Sequence, residues 1–251
     1  MTGERRDHYS YTVYADPATA RTFDERRFGG PIGDLIANDQ ARVLETFLAP
    51  ASGQSILDVG TGTGRAALLL ARSGAHVTGV DASEEMLQIA RQRAAQEHAA
   101  ITFGVGDAHH LEFPDRSFDH AVSLRVVMHT PRWRDCVAEL CRVARRSVVL
   151  DYPSAHSAAL LQSVARKAMH ATGARTEPYR VFFDSEIADA LRLGGFRIRS
   201  VHREFVLPIA LHKAFGSPGF TQGTERALAR LGLLRLFGSP VTLVADRCEP
   251  S

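Results

Sequence analysis

From residue 56 to residue 151 the chain alternates short apolar runs, rich in branched side chains, with longer stretches of helical spacing. Residues 56–59, 76–80, 101–105, 118–124 and 147–151 read as strands, and 196–208 and 240–247 add two more. A strict strand–helix alternation folds as a mostly parallel sheet covered on both faces, with right-handed crossovers. In such sheets ligands lie beyond the carboxyl ends of the strands, so the residues just after each strand are the functional candidates.

The helices between the strands carry their own signals. Leu35, Ile36, Val43, Leu44, Phe47 and Leu48 repeat at helical spacing and stop at Pro50. Gly74 closes the helix after the first strand, and Ser83 caps the next, with Glu84 and Glu85 against its positive dipole end and Met86, Leu87, Ile89 and Ala90 on its buried face. Thr130 and Pro131 read as a helix start, continued by Val137, Leu140 and Cys141. Beyond Asp151 come helical patterns at Leu160, Leu161, Val164, Ala168 and Met169, at 185–193 ending in Gly194 and Gly195, and at Ala227, Leu228, Leu231 and Leu234.

The first strand leads into Gly60, Gly62 and Gly64, a loop that can turn sharply and let a ligand press on its backbone. Gly62, Gly64 and Ala67 satisfy a dinucleotide pattern, with Asp81 following to take ribose hydroxyls, but that acid serves any adenosine-containing ligand. The choice falls to two further carboxylates. Asp58 at the end of the first strand would repel a pyrophosphate and attract the ammonium of a methionine moiety. Asp107 after the third strand could accept the adenine amino group while Ala108 offers its backbone N–H. Two acids around the pocket favour the cationic S-adenosylmethionine over NAD.

Four ordered blocks, ILDVGTGTGRAALLLA, VTGVDASEEMLQIAR, GDAHHLEFPDRSFDHAVS and HTPRWRDCVAELCRVARRSVVLD, resemble class I S-adenosylmethionine-dependent methyltransferases. The similarity is closest to the broad group that includes ubiquinone and menaquinone biosynthesis methyltransferases, and it covers residues 55–151. It implies a Rossmann-like, doubly wound, mostly parallel seven-stranded sheet with helical cap insertions. It implies one domain, in which 1–50 covers the cofactor, 51–151 binds it and 152–251 forms the acceptor-side lid and last strands. Carried onto this sequence, Asp58, Gly60, Thr61 and Gly62 would line the methionine end and Asp81 would bind the ribose. Ala82 and Met86 would flank the adenosine, and Asp107 and Ala108 would hold adenine. Tyr14 and Arg21 lie in a segment similar to those that fold over the cofactor in relatives, with a solvated helix as the alternative. The family's usual Lys-Pro-Gly-Gly turn before the fifth strand is replaced here by RVARRSVVL, which predicts a shorter connection.

Composition narrows the partners. A formal charge of +2 with scattered arginine pairs does not suit nucleic acid. The absence of a long apolar run and of a signal-like N-terminus predicts a cytoplasmic chain without a membrane span. Cys136, Cys141 and Cys248 show no metal or disulfide spacing and are expected to be buried thiols, with no metal bound. The expected activity is methyl transfer to a small-molecule or lipid-like acceptor. A cofactor-binding but non-catalytic subunit and an NAD-dependent oxidoreductase are the alternatives. A sulfonium methyl is already activated, so alignment carries most of the catalysis. A general base is needed only for a protonated acceptor, and the candidates are His129, His109, His110 and Tyr152 with His156. His129, after the fourth strand, is foremost, with a loop-holding role as the competing explanation. Residues 160–183 and the helical segment between the last two strands are expected to form a lid, with an extra core layer or a homodimer contact as alternatives.

Overall fold

The computed structural model describes residues 28–160, 163 and 179–248. A single seven-stranded sheet has the order β3-β2-β1-β4-β5-β7-β6. Its strands are β1 (Ser55–Val59), β2 (His76–Asp81), β3 (Ile101–Val105), β4 (Phe118–Ser123), β5 (Ala144–Tyr152), β6 (Phe196–Phe205) and β7 (Ser239–Arg247). The strands from β1 to β5 pair in parallel, and β7 runs antiparallel between β5 and β6. The chain leaves β1 toward β2 and β3, then returns to place β4 on the other side of β1. That reversal opens a crevice above the carboxyl ends of β1 and β4, where the connecting loops diverge.

The helices are α1 (Gly30–Leu48), α2 (Arg65–Arg72), α3 (Glu84–Gln96), α4 (Trp133–Val143), α5 (Asp184–Leu193), α6 (Ile209–Phe215), α7 (Pro218–Arg230) and α8 (Leu233–Phe237). Side chains alternate across each strand, and the sequence uses both faces. Ile56, Val77, Val122, Val149 and Val244 pack with Val43, Leu44 and Phe47 of α1 and Ala67 and Leu70 of α2. Leu57, Val59, Val148, Leu150 and Leu243 pack on the other face with Val137, Leu140 and Cys141 of α4 and Ile187 and Leu191 of α5. Every residue of β1 after Ser55 is buried, as a central parallel strand requires.

Local signals explain most boundaries. The Ser83 hydroxyl accepts from the Met86 amide at 3.2 Å, and Glu84 and Glu85 occupy the first turn of α3. Gly74 takes a left-handed φ of 85° just past α2, and its N–H donates to the Ala71 carbonyl. The connection before β5 has vanished: α4 ends at Val143 and the strand starts at Ala144. Arg142 near the end of α4 donates to Glu139, Asp115 and the carbonyls of Leu111 and Phe113, and so clamps the loop that precedes β4.

Four expectations need correction or qualification. The helix after β4 begins at Trp133, not at Thr130, because the Thr130 hydroxyl bonds back to the Val127 carbonyl at 3.0 Å and closes a one-turn 3-10 helix, Val127–His129. The segment between β6 and β7 holds three helices, the predicted helical pattern at Ala227, Leu228, Leu231 and Leu234 is divided between α7 and α8, and Leu231 is 74% exposed. Cys136 and Cys141 are buried, and burial pushes both thiols up to about 12, but Cys248 is exposed. Tyr14, Arg21 and most of the 160–183 segment lie outside the described residues. Among the described residues no helix is long and apolar enough to cross a membrane.

Candidate active site

The crevice is lined by the loops that follow the first four strands, with Phe28 and Gln40 closing it from the N-terminal side. The loop after β1 turns back at once: the amides of Gly60 and Thr61 both donate to the Val80 carbonyl, at 2.8 and 3.0 Å. Gly60 holds a φ of 73°, and a Cβ there would stand 2.1 Å from Cγ2 of Val126. The glycine therefore supplies both a left-handed backbone and the close approach of the β1 and β4 loops.

Asp58 and Asp81 face this loop. The Asp58 carboxylate is buried and accepts from the Thr61 hydroxyl at 2.7 Å. Burial pushes its carboxyl up to about 6; the Thr61 hydrogen bond opposes the shift and the nearby Asp81 charge adds to it. Asp81 spreads its carboxylate across two segments, with Oδ2 accepting from the Gly62 amide at 2.8 Å and Oδ1 from the Ser83 amide at 2.9 Å. Burial raises its carboxyl too, against those backbone donors. One carboxylate thus fixes the glycine loop relative to the start of α3.

The sequence-predicted residues gather as follows. Asp58, Gly60, Thr61, Gly62, Asp81, Ala82, Met86, Ala108 and His129 all line the crevice. Asp107 borders it: its Oδ1 accepts from the His109 amide at 2.9 Å and lies 2.7 Å from the His109 ring Nδ1. Of the candidate bases, only His129 reaches the crevice. His109 is buried against Asp107, Tyr152 is buried with its hydroxyl donating to Asp184 at 3.0 Å, and the His156 ring packs on Phe183. Among the described residues none of 209–237 lines this crevice, and Phe28 and Gln40 border it from the N-terminal side.

Sequence reasoning missed Arg65, Gln40 and Arg125. Arg65 at the first residue of α2 donates to the Gln40 side chain at 2.8 Å, and its guanidinium sits 3.5 Å from the centre of the Phe28 ring. Gln40 had a legible signal: it falls one turn from both Ile36 and Leu44, a polar residue on an apolar helix face. Arg125 lines the crevice with a left-handed φ of 64°, held by its amide donating to the buried carboxylate of Asp151 at the end of β5.

A crevice with a buried carboxylate at Asp58 and a half-buried one at Asp81 by the glycine loop, an apolar flank at Ala82 and Met86 and a backbone amide at Ala108 fits a cation joined to an adenosine. Comparison with known proteins agrees. Residues 56–147 match the family model described as a methyltransferase domain. The O-methyltransferase cnsE of Penicillium expansum is 32% identical over 200 residues, 76% of this chain and 70% of that protein. The chain belongs to the class I S-adenosylmethionine-dependent methyltransferases. The demethylmenaquinone methyltransferase of Tropheryma whipplei is 31% identical over 192 residues, 68% of this chain and 78% of its own length. The fold is shared with magnesium protoporphyrin IX methyltransferase from Synechocystis, crystallised with S-adenosylhomocysteine, at a TM-score of 0.64 and 20% identity over 94% of this chain and 99% of that one. The methyltransferase uses S-adenosylmethionine as its methyl donor.

Proposed function

We propose that this methyltransferase modifies a small, largely apolar acceptor bound against the loop after β4. The observation that carries the proposal is the composition of that wall: Leu124 and Val126 are apolar, and His129, Thr130 and Arg125 provide its polar groups. Such a surface suits a ring or chain carrying one hydroxyl or acidic group, which Arg125 would anchor and His129 would face. The names of the two relatives, an O-methyltransferase and a demethylmenaquinone methyltransferase, support a small-molecule acceptor. Incubation with S-adenosylmethionine and a panel of phenols, quinols and aromatic carboxylic acids, read by mass spectrometry, tests it. Methylated product from an apolar hydroxyl compound is expected. Methylation confined to protein or RNA, or none at all, would overturn it.

The bound cofactor supplies an activated methyl group. In the proposed arrangement Asp58, Gly60, Thr61 and Gly62 hold the methionine end, with Asp58 facing the ammonium and Arg65 the carboxylate. Asp81 takes the ribose hydroxyls, Ala82 and Met86 flank the adenosine, and Ala108 offers its amide to the adenine edge that Asp107 borders. Replacing Asp81 with alanine removes a charged acceptor and unties the glycine loop from α3. Calorimetry with S-adenosylhomocysteine is expected to show affinity about 10- to 100-fold weaker. Unchanged affinity would place the ribose elsewhere.

Asp58 makes binding depend on pH. Its carboxyl, raised to about 6, must ionise to face an ammonium, and the complex then holds it ionised. Binding therefore releases a proton below pH 6, and affinity climbs as pH rises through 6 and levels off above it. The dissociation constant at pH 5 is expected to be about 10-fold weaker than at pH 7.5, and Asp58→Asn should flatten that difference. An equally steep profile in the variant would assign the dependence to another group.

A further inference from the structure

The helices between β6 and β7 are built inside out. Their buried side chains are polar: His212, Thr221 and Glu225. Glu225 accepts from the amides of Val206 and Leu207, at 2.8 and 3.0 Å, and lies 2.9 Å from His212 Nε2. The other ring nitrogen is 3.1 Å from the Thr221 hydroxyl, so both nitrogens of the buried imidazole have partners. This satisfied network locks α6 and α7 to the end of β6. Ile209 packs on Ile32, Ile36 and Phe205, but six large apolar side chains, Leu211, Phe215, Phe220, Leu231, Leu236 and Phe237, are between 39% and 74% exposed. By contrast α4 buries Trp133, Val137 and Leu140 completely or nearly so. Exposed large apolar groups concentrated in one segment are the unusual observation.

Their arrangement has a charge pattern. Phe215 and Phe220 meet across the α6–α7 corner with ring centroids 4.5 Å apart. Phe220, Ala227 and Leu231 follow at helical spacing along one side of α7, and the exposed Arg226 and Arg230 form the row beside them. Arg235 is exposed on α8, next to Leu236 and Phe237. Within 209–237 the single acidic residue is Glu225, which is turned inward, against Lys213, Arg226, Arg230 and Arg235. Two copies of this chain meeting through the surface would bring arginine rows together. Aromatic and leucine side chains standing out among arginines are instead the pattern that enters the boundary between headgroups and acyl chains.

We infer that α6–α8 form a docking surface for an anionic lipid membrane, on which the protein rests peripherally. The apolar side chains insert and the arginines pair with lipid phosphates. Docking does not depend on the acceptor's identity, so vesicle binding and methyl transfer fail separately.

The test is co-sedimentation of the full chain with vesicles of phosphatidylcholine, with and without phosphatidylglycerol. Binding is expected to the anionic vesicles, to weaken with added salt and to be much weaker on phosphatidylcholine alone. The double variant Phe215→Ser with Phe220→Ser should bind at least about 10-fold more weakly. Arg230→Gln with Arg235→Gln should lose about 25-fold, at roughly fivefold per charge. Both variants should bind S-adenosylhomocysteine as the parent does. Leu236→Ser with Phe237→Ser provides an independent variant should the first fail to fold. No binding to anionic vesicles, equal binding to both kinds, or a dimer in sedimentation equilibrium that the phenylalanine substitutions dissociate would each overturn the inference.

Discussion

Replacing Gly60 with alanine is expected to destabilise the protein by about 3 kcal/mol, from left-handed backbone strain and forced overpacking together. The backbone there sits at a φ of 73°, and the new methyl would fall 2.1 Å from Cγ2 of Val126. Neither loop can yield freely. The Gly60 amide is tied to the Val80 carbonyl, and Val126 leads into the turn that its own carbonyl closes by accepting from the His129 amide at 2.8 Å. The clash and the strain separate in a double-variant cycle. Adding Val126→Ala removes the obstructing methyl, so the combined loss of stability should fall short of the summed single losses by about 1–2 kcal/mol. Denaturant melts of the four proteins measure this, and strict additivity would mean that the loops do not press on each other.

His129→Asn is expected to lower kcat about 100-fold or more on a hydroxyl acceptor while leaving cofactor affinity unchanged. Of the candidate bases His129 alone stands in the crevice, in the wall that also carries Leu124, Arg125 and Val126. Its imidazole would take the hydroxyl proton as the methyl transfers, so the acidic limb of the pH–rate profile should flatten in the variant. Asparagine keeps a hydrogen-bonding side chain of similar reach, which separates proton removal from holding the loop. Near-parental turnover with the same acidic limb would assign catalysis to alignment alone.

The features legible in the sequence were those fixed by neighbours in the chain. The three glycines, the Ser83 cap and the alternation of apolar runs each state a local geometry, and the strands and crevice loops follow from them. Contacts between distant segments were hidden. Arg65 reads as the solvent side of α2 until Gln40 and Phe28 arrive from the N-terminal side. Thr130 and Pro131 looked like a helix start because that pair commonly is one, yet the Thr130 hydroxyl is spent on the turn behind it. Apolar period failed most clearly in α7: Glu225 collects donors from Val206, Leu207 and His212, and that network turns Thr221 and Glu225 inward in place of Leu231.

A crystal structure with S-adenosylhomocysteine bound tests the proposed site most directly. The account predicts the ribose on Asp81, the methionine ammonium facing Asp58 and adenine between Met86 and the Ala108 amide. It also predicts that the sulfur faces the wall formed by Arg125, Val126 and His129. A ligand seated with its ribose away from Asp81, or with its sulfur turned from that wall, would contradict it.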